Sequence, residues 1–198
     1  FSSGIDTGSF GEIQGAPAEM IARAQSGFRK IAALPMPTIA AVKGHALGAG
    51  LQLALACDLR VMARDASLGL LEAKYGLVPD LGGTQRLPAL IGPGRAKKMI
   101  WLAERIDGEE AGRIGLAEIV VDGTEVDASA HELATRIASA PPLVVGEVKR
   151  LVDIAGRAAL SEGMDEEAAS QMKMFASADF GEAITAFVER RAPAYTGT

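Results

Sequence analysis

The spacing of apolar positions switches between helical and strand-like values several times before residue 121. Apolar residues recur at helical spacing from Pro17 to Leu34, and Pro35 and Pro37 predict the end of that helix. The β-branched run Thr38–Val42 then predicts a strand. The remaining pattern predicts a loop at 1–16, helices at 51–57, after Thr84, at 95–103 and at 106–115, and strands at 59–62, 66–71 and 119–121. Strands that alternate with helices in this way are typical of an α/β core.

The pattern changes after residue 126, where strand-like alternation ends and only helical spacing remains. Helices are predicted at 131–139, 143–155, 158–176 and 180–190. Two apolar stripes accompany them, one formed by Val144, Val145, Val148, Leu151 and Val152, the other by Phe180, Ile184, Phe187 and Val188. We therefore predict an α/β core over residues 1–126 and a helical C-terminal subdomain over residues 127–198 that serves assembly.

Composition narrows the function classes. The chain has 198 residues, 48% of them hydrophobic, a net charge of −5 and no long basic run, which argues against nucleic acid or an anionic membrane surface as a partner. One cysteine excludes an internal disulfide framework, and two histidines with one cysteine offer no clustered ligands for a metal. Because the chain begins at Phe1 with no initiating Met, we expect a fragment that lacks the start of its fold.

A small-residue turn marks the first candidate for chemistry. Gly48-Ala49-Gly50 lies between a strand and an apolar helix, so free backbone N–H groups at the helix start meet at one point. Such fixed donors can hold a developing oxyanion. The alternative is that these glycines only allow tight packing of strand against helix.

Two carboxylates follow in an otherwise apolar segment. Glu72 comes after four apolar or small residues, so burial should raise its pKa and suit it to proton transfer. The alternative is a carboxylate at the rim, paired with Lys74 or Arg86. Asp80 is either a second proton-transfer group or the N-cap of the helix after Thr84. An oxyanion turn close to such carboxylates is typical of an enzyme that forms and discharges an enolate.

Five segments in order resemble the crotonase family, the enoyl-CoA hydratases and isomerases. They read F-S-S-G-I-D at 1–6, G-H-A-L-G-A-G at 44–50, A-C-D-L-R at 56–60, E-A-K-Y-G-L-V-P-D-L-G-G-T-Q-R-L at 72–87 and D-F-G-E-A-I-T-A-F-V-E-R-R at 179–191. The resemblance implies an α/β spiral of ββα repeats with a helical C-terminal trimerisation subdomain. Family members normally carry strands before the F-S-S-G segment, so the resemblance implies that N-terminal strands are missing here.

The resemblance also assigns roles to residues. It places the oxyanion hole at the backbone amides of Ile5 and Ala49, a catalytic carboxylate at Glu72 and a second candidate at Asp80. The substrate-binding residues that it implies are Ser3, Gly4, Asp6, Leu47, Gly48 and Gln52. Gln52 departs from the family, because hydratases usually carry a second catalytic Glu at this place, and an amide accepts no proton. We therefore expect double-bond isomerisation to be favoured over hydration.

The implied substrate is an acyl-CoA thioester, with no metal and no cofactor beyond the coenzyme A that the substrate carries. The implied assembly is a homotrimer or hexamer, and we expect a cytoplasmic location with no membrane partner. Two other functions remain open: a non-catalytic acyl-CoA-binding protein on the same fold, favoured by Gln52, and a purely structural trimerising module.

Overall fold

The computed structural model describes residues 1–5 and 17–198, and these fall into two units. The first unit comprises Phe1–Leu34 and Thr38–His131, and the second comprises Pro35–Pro37 and Glu132–Thr198. All the described candidate site residues belong to the first unit.

Short strands and helices alternate in the first unit. Its strands are β1 (Ile39–Val42), β2 (His45–Leu47), β3 (Leu59–Ala63), β4 (Ser67–Gly69) and β5 (Ile119–Val121). Its helices are α1 (Pro17–Ala32), α2 (Ala49–Ala56), α3 (Gly83–Ile91), α4 (Pro93–Trp101) and α5 (Gly108–Arg113), with a 3₁₀ helix at Glu72–Tyr75. The pattern of apolar positions predicted these elements to within a few residues, apart from β2 and the 3₁₀ helix, which it missed.

The strands form two parallel sets. One sheet has the order β1-β3-β5, and β2 pairs with β4. Val42 and Met62 are register partners across β1 and β3, and both are fully buried. Strands of parallel sheets are commonly covered on both faces, which explains why they read as apolar runs without alternation. The alternation of these parallel strands with helices confirms the predicted α/β core.

A buried arginine ties strand β3 to the segment that leads into β5. Arg60 is 2% exposed, and its guanidinium donates to the carbonyl oxygens of Leu116 (2.8 Å) and Cys57 (3.0 Å). It also pairs with Glu118 Oε1 at 2.5 Å. A buried charge is tolerated only when its hydrogen-bonding groups are satisfied, so the A-C-D-L-R segment supports the fold rather than the chemistry.

Helices make up the second unit. Helix α6 (Val126–Ala138) begins in the first unit, and α7 (Pro142–Ala155), α8 (Leu160–Phe175) and α9 (Ala178–Glu189) follow. The described residues after Val121 form no strand, as the sequence predicted. Ser170 of α8 is buried and donates to Glu147 Oε2 of α7 at 2.6 Å, while Arg150 and Lys173 pair with the same carboxylate.

Candidate active site

The first residues of the chain lie beside strand β2. Ser2 donates from its amide to the His45 carbonyl oxygen (2.7 Å), and its own carbonyl accepts from the Leu47 amide (3.1 Å). This parallel pairing brings the N-terminal segment against the start of α2. A Cβ added to Gly50 would overlap the Ser2 carbonyl, so position 50 requires a residue without a side chain.

The turn before α2 presents unused backbone donors. Gly48 has φ 54°, in the region that favours glycine, and its amide is taken by the Gly69 carbonyl at 2.8 Å. Ala49 is the first residue of α2, so its N–H has no acceptor within the helix. Within the described residues, neither the Ala49 amide nor that of Ile5 donates to another group. A Cβ built on Gly4 would lie 3.7 Å from the Ala49 nitrogen, so the two segments meet at this point.

Glu72 faces the same turn. A Cβ built on Gly48 would lie 3.5 Å from Glu72 Oε1, which places the carboxylate against the backbone of the turn. Glu72 Oε2 is buried and has no hydrogen-bond partner among the described residues. Burial raises the pKa of the Glu72 carboxyl above its ordinary value of 4.5, and the charge of Asp80 acts in the same direction. Hydrogen bonds from its own backbone amide and from Gln52 oppose this rise in pKa.

Gln52 connects Glu72 to the loop before α3. The side chain is 1% exposed, and its Nε2 donates to Glu72 Oε1 at 2.7 Å. Its Oε1 accepts from the amides of Leu81 (2.8 Å) and Gly83 (3.0 Å). A Cβ on Gly83 would come within 3.0 Å of this oxygen, which explains the need for glycine in the G-G-T segment. The three described hydrogen bonds of Gln52 therefore hold neighbouring groups in place, namely the Glu72 carboxylate and the amides of Leu81 and Gly83.

Asp80 lies in the same loop and is half-buried. Its backbone carbonyl accepts from Gln25 Nε2 of α1 at 2.7 Å. Helix α3 has Gly82 as its N-cap, with no side-chain hydrogen bond to the cap, so the predicted alternative that Asp80 caps this helix is wrong. The loop places the Asp80 carboxylate close enough to Glu72 that its negative charge raises the pKa of the Glu72 carboxyl.

The alternative for Glu72 is also wrong. Its Oε1 is bonded to Gln52 and its Oε2 has no described partner, so neither oxygen is paired with Lys74 or Arg86. Arg86 instead donates to the Leu55 carbonyl oxygen at 3.3 Å. A half-buried carboxyl with no ion-pair partner, one buried unpartnered oxygen and a raised pKa, beside backbone amides with no described acceptor, is suited to proton transfer next to an anion.

Comparison with known proteins decides the family. The model of the enoyl-CoA hydratase/isomerase family matches residues 1–198. The chain belongs to this family. The predicted resemblance to the crotonase family is thereby confirmed.

Relatives within the family are similar along most of this chain. The probable mitochondrial enoyl-CoA hydratase 2 of Arabidopsis thaliana is 39% identical over 170 residues, covering 86% of this chain and 56% of the relative. The crotonyl-CoA hydratase of Syntrophomonas wolfei is 41% identical over 173 residues, covering 87% of this chain and 66% of the relative. The chain therefore spans between 56% and 66% of the length of these two curated relatives.

A crystal structure within the family confirms the crotonase-like fold. The enoyl-CoA hydratase from Bacillus anthracis superimposes with a TM-score of 0.90 at 38% sequence identity. The match covers 96% of this chain and 75% of that chain.

The fold of this family member places most of the predicted site residues close together. The backbones of Gly4, Gly48 and Ala49 converge with the side chains of Gln52 and Glu72. Ile5 and Ser3 lie in the same N-terminal segment and are exposed, Leu47 is buried at the end of β2, and Asp6 falls outside the described residues. Sequence reasoning missed the roles of Gln52 and Gln25 as hydrogen-bonding supports. For Gln52, a signal was present in one polar residue within the otherwise apolar helix α2.

Neither a metal site nor a membrane-spanning helix is found in residues 1–5 and 17–198. No group of three or more His, Cys, Asp or Glu side chains in this part of the chain is arranged to hold a metal ion. None of its helices combines the length and apolar character that crossing a bilayer requires.

Proposed function

We propose that this chain is an enzyme that moves a double bond of an enoyl-CoA thioester through an enolate intermediate. The observation that carries this proposal is the buried, unpartnered Oε2 of Glu72 beside a turn with unused backbone amides. The family, in which relatives are named hydratases and isomerases, supports an acyl-CoA substrate.

The oxyanion hole comes from the backbone. The thioester carbonyl oxygen accepts hydrogen bonds from the N–H groups of Ile5 and Ala49, and negative charge gathers on that oxygen as the enolate forms. Backbone donors are fixed before this charge develops, and loss of one such donor typically costs about 2.7–4 kcal/mol of transition-state stabilisation. Gly4 and Gly48 have no side chain that would block the approach of the thioester.

Glu72 moves the proton. Its carboxylate removes a proton from one carbon of the acyl chain, and the resulting carboxylic acid returns it to another carbon, so that the double bond is displaced. A raised pKa favours the second step, because the acid then remains a usable proton donor near neutral pH. Asp80 is the candidate second proton-transfer group for substrates whose two proton positions lie further apart.

Gln52 favours isomerisation over hydration. Addition of water needs a group to take a proton from the water while another protonates carbon, and an amide cannot take that proton. Gln52 is moreover bonded to three neighbours and buried. A single carboxyl that both removes and returns a proton is sufficient for isomerisation.

Incubation of the purified protein with crotonyl-CoA, a 3-enoyl-CoA and a 3,5-dienoyl-CoA tests the proposal. Ultraviolet absorbance reports the change in conjugation, and mass spectrometry separates the products, because hydration adds one water and isomerisation leaves the mass unchanged. We expect unchanged mass with altered absorbance for the 3-enoyl or dienoyl substrate. Binding of acyl-CoA without either change would instead favour the non-catalytic acyl-CoA-binding protein, and predominant hydration would overturn the preference for isomerisation.

We also propose assembly into a homotrimer or hexamer through the second unit. Its helices expose Val152 (67%), Phe187 (83%) and Val188 (73%), and α7, α8 and α9 border an apolar groove of about 600 Å³. Burial of such side chains between subunits would remove apolar surface from water. A cytoplasmic location stays a prediction.

A further inference from the structure

We propose that Gln52 is a positioning residue that distinguishes the two oxygens of Glu72, holding Oε1 as a hydrogen-bond acceptor and leaving Oε2 to take up and return the substrate proton. This inference rests on the proposed function, and it concerns how one carboxyl serves as both base and acid.

The orientation of the Gln52 amide is fixed by its neighbours. The Oε1 and Nε2 of a glutamine are assigned from the groups around them. Here one end of the amide faces the N–H groups of Leu81 and Gly83, at 2.8 and 3.0 Å, and an N–H can only donate. That end must therefore be the oxygen, and the nitrogen necessarily points at Glu72.

This orientation decides which oxygen of Glu72 carries the proton. The Nε2 group of Gln52 has hydrogens to donate and no lone pair to accept, so a proton on Glu72 Oε1 would face another donor. Oε2 is buried with no described partner and has no such conflict. The protonated carboxyl therefore has Oε1 as its carbonyl oxygen and Oε2 as its hydroxyl oxygen.

The same amide holds the loop that carries Asp80. Gln52 anchors the loop at Leu81 and Gly83, while Gln25 anchors it from α1 through the Asp80 carbonyl oxygen at 2.7 Å. The two glutamines thus share the task of holding the loop, but only Gln52 also touches Glu72. This difference makes Gln25 a matched control.

Infrared difference spectroscopy across a pH titration can test the inference without any need for turnover. The carbonyl band of protonated Glu72, identified by its loss in Glu72→Gln, reports both the pKa of the carboxyl and the hydrogen bond to its carbonyl oxygen. In Gln52→Met we expect the band to move to higher frequency and the pKa of Glu72 to rise, because a hydrogen bond that favours the charged form is lost. We also expect kcat to fall at least about tenfold with little change in KM.

If Gln52→Met folds poorly, two further variants still test the inference by the same measurement. Gln52→Glu keeps an acceptor for the Leu81 and Gly83 amides and replaces the amide donor with a second carboxyl beside Glu72. Its two carboxyls should titrate as a coupled pair, with the upper step above the wild-type pKa of Glu72. Gln25→Ala removes the bond to the Asp80 carbonyl oxygen, together with the acceptor that Gln25 offers to Arg29 within α1, and has no direct contact with Glu72. It should leave both the band and the titration of Glu72 as in the wild type.

The outcomes are distinct. An unchanged band and titration in both Gln52 variants would overturn the inference, and so would a Gln25→Ala variant that reproduces the changes, since the loop would then be their cause. Shifted spectra in a protein that turns over no enoyl-CoA would overturn the proposed function while supporting the distinction between the two oxygens.

Discussion

The Glu72→Gln substitution should separate activity from stability. The new amide keeps an oxygen that accepts the 2.7 Å hydrogen bond from Gln52, so the local geometry is retained. It removes the only carboxyl in the described site with a buried, unpartnered oxygen. We expect turnover of the preferred enoyl-CoA to fall by roughly 10²–10⁴, the usual contribution of a general acid–base group, or about 2.7–5.4 kcal/mol of barrier. Acyl-CoA affinity should be retained because the backbone amides are unchanged.

The effect on stability follows from the raised pKa of Glu72. The folded state holds this proton more tightly than the unfolded state, so the contribution of Glu72 to stability is complete below 4.5 and is lost as pH rises through its folded pKa. The Gln variant does not titrate. The melting temperature of the wild type, relative to that of the variant, should therefore decline as pH rises above 4.5 and level off once pH exceeds the folded pKa of Glu72.

Absorbance assays and thermal melts on the same preparations provide both measurements. Substitution of the exposed Glu132 by Gln is the matched control and should alter neither quantity. Turnover near the wild-type value would remove Glu72 from the mechanism. A melting-temperature difference that does not change with pH would refute the inference that burial raises the pKa of Glu72 in the folded state.

Three further predictions concern other parts of the chain. Asp80→Asn should leave the melting temperature unchanged and lower turnover of a 3,5-dienoyl-CoA at least about tenfold, whereas equal turnover would exclude Asp80 from catalysis. The hydroxyl of Ser170, with neighbouring cations, lowers the pKa of Glu147 from 4.5 to about 2, so the second unit should lose stability as pH falls through this range. Ser170→Ala should weaken that pH dependence in circular-dichroism melts. Replacement of Phe187 and Val188 by Ser should convert an oligomer into monomers in light scattering, and a wild-type monomer would contradict the assembly proposal.

The sequence predicted the elements of the fold because most of them depend on local patterns. The run Thr38–Val42 predicted strand β1 and the apolar spacing at 143–155 predicted α7, and both patterns can be read directly from the chain. Strand β2 escaped prediction because its three residues, His45–Leu47, are too few to show a period. Its pairing with β4 depends on residues about twenty positions away.

The site was only partly predictable for a related reason. The turn at Gly48 and the apolar surroundings of Glu72 are local, so they indicated amide donors and a buried carboxyl. The hydrogen bonds of Gln52 to Leu81 and Gly83 join residues 29 and 31 positions apart, and no local pattern encodes them. The cap alternative for Asp80 could be decided only in the same way, since the fold alone shows that Gly82 occupies the cap of α3. A catalytic role for Asp80 stays a prediction.

The pairing of the N-terminal segment with β2 has a consequence for how function is gained and lost. The two proposed oxyanion donors, at Ile5 and Ala49, lie on segments that are far apart along the chain and meet only when Ser2 is bonded to His45 and Leu47. Forming such distant contacts is slow relative to forming a helix. The donor pair therefore exists only when the segment 1–5 is paired with β2. If that segment separated from β2, the proposed anion site would lose the Ile5 donor, while the bond between Gln52 and Glu72 involves neither element. The binding of a thioester anion analogue would then report the pairing of the segment with β2, and the titration of Glu72 would report the remainder of the site.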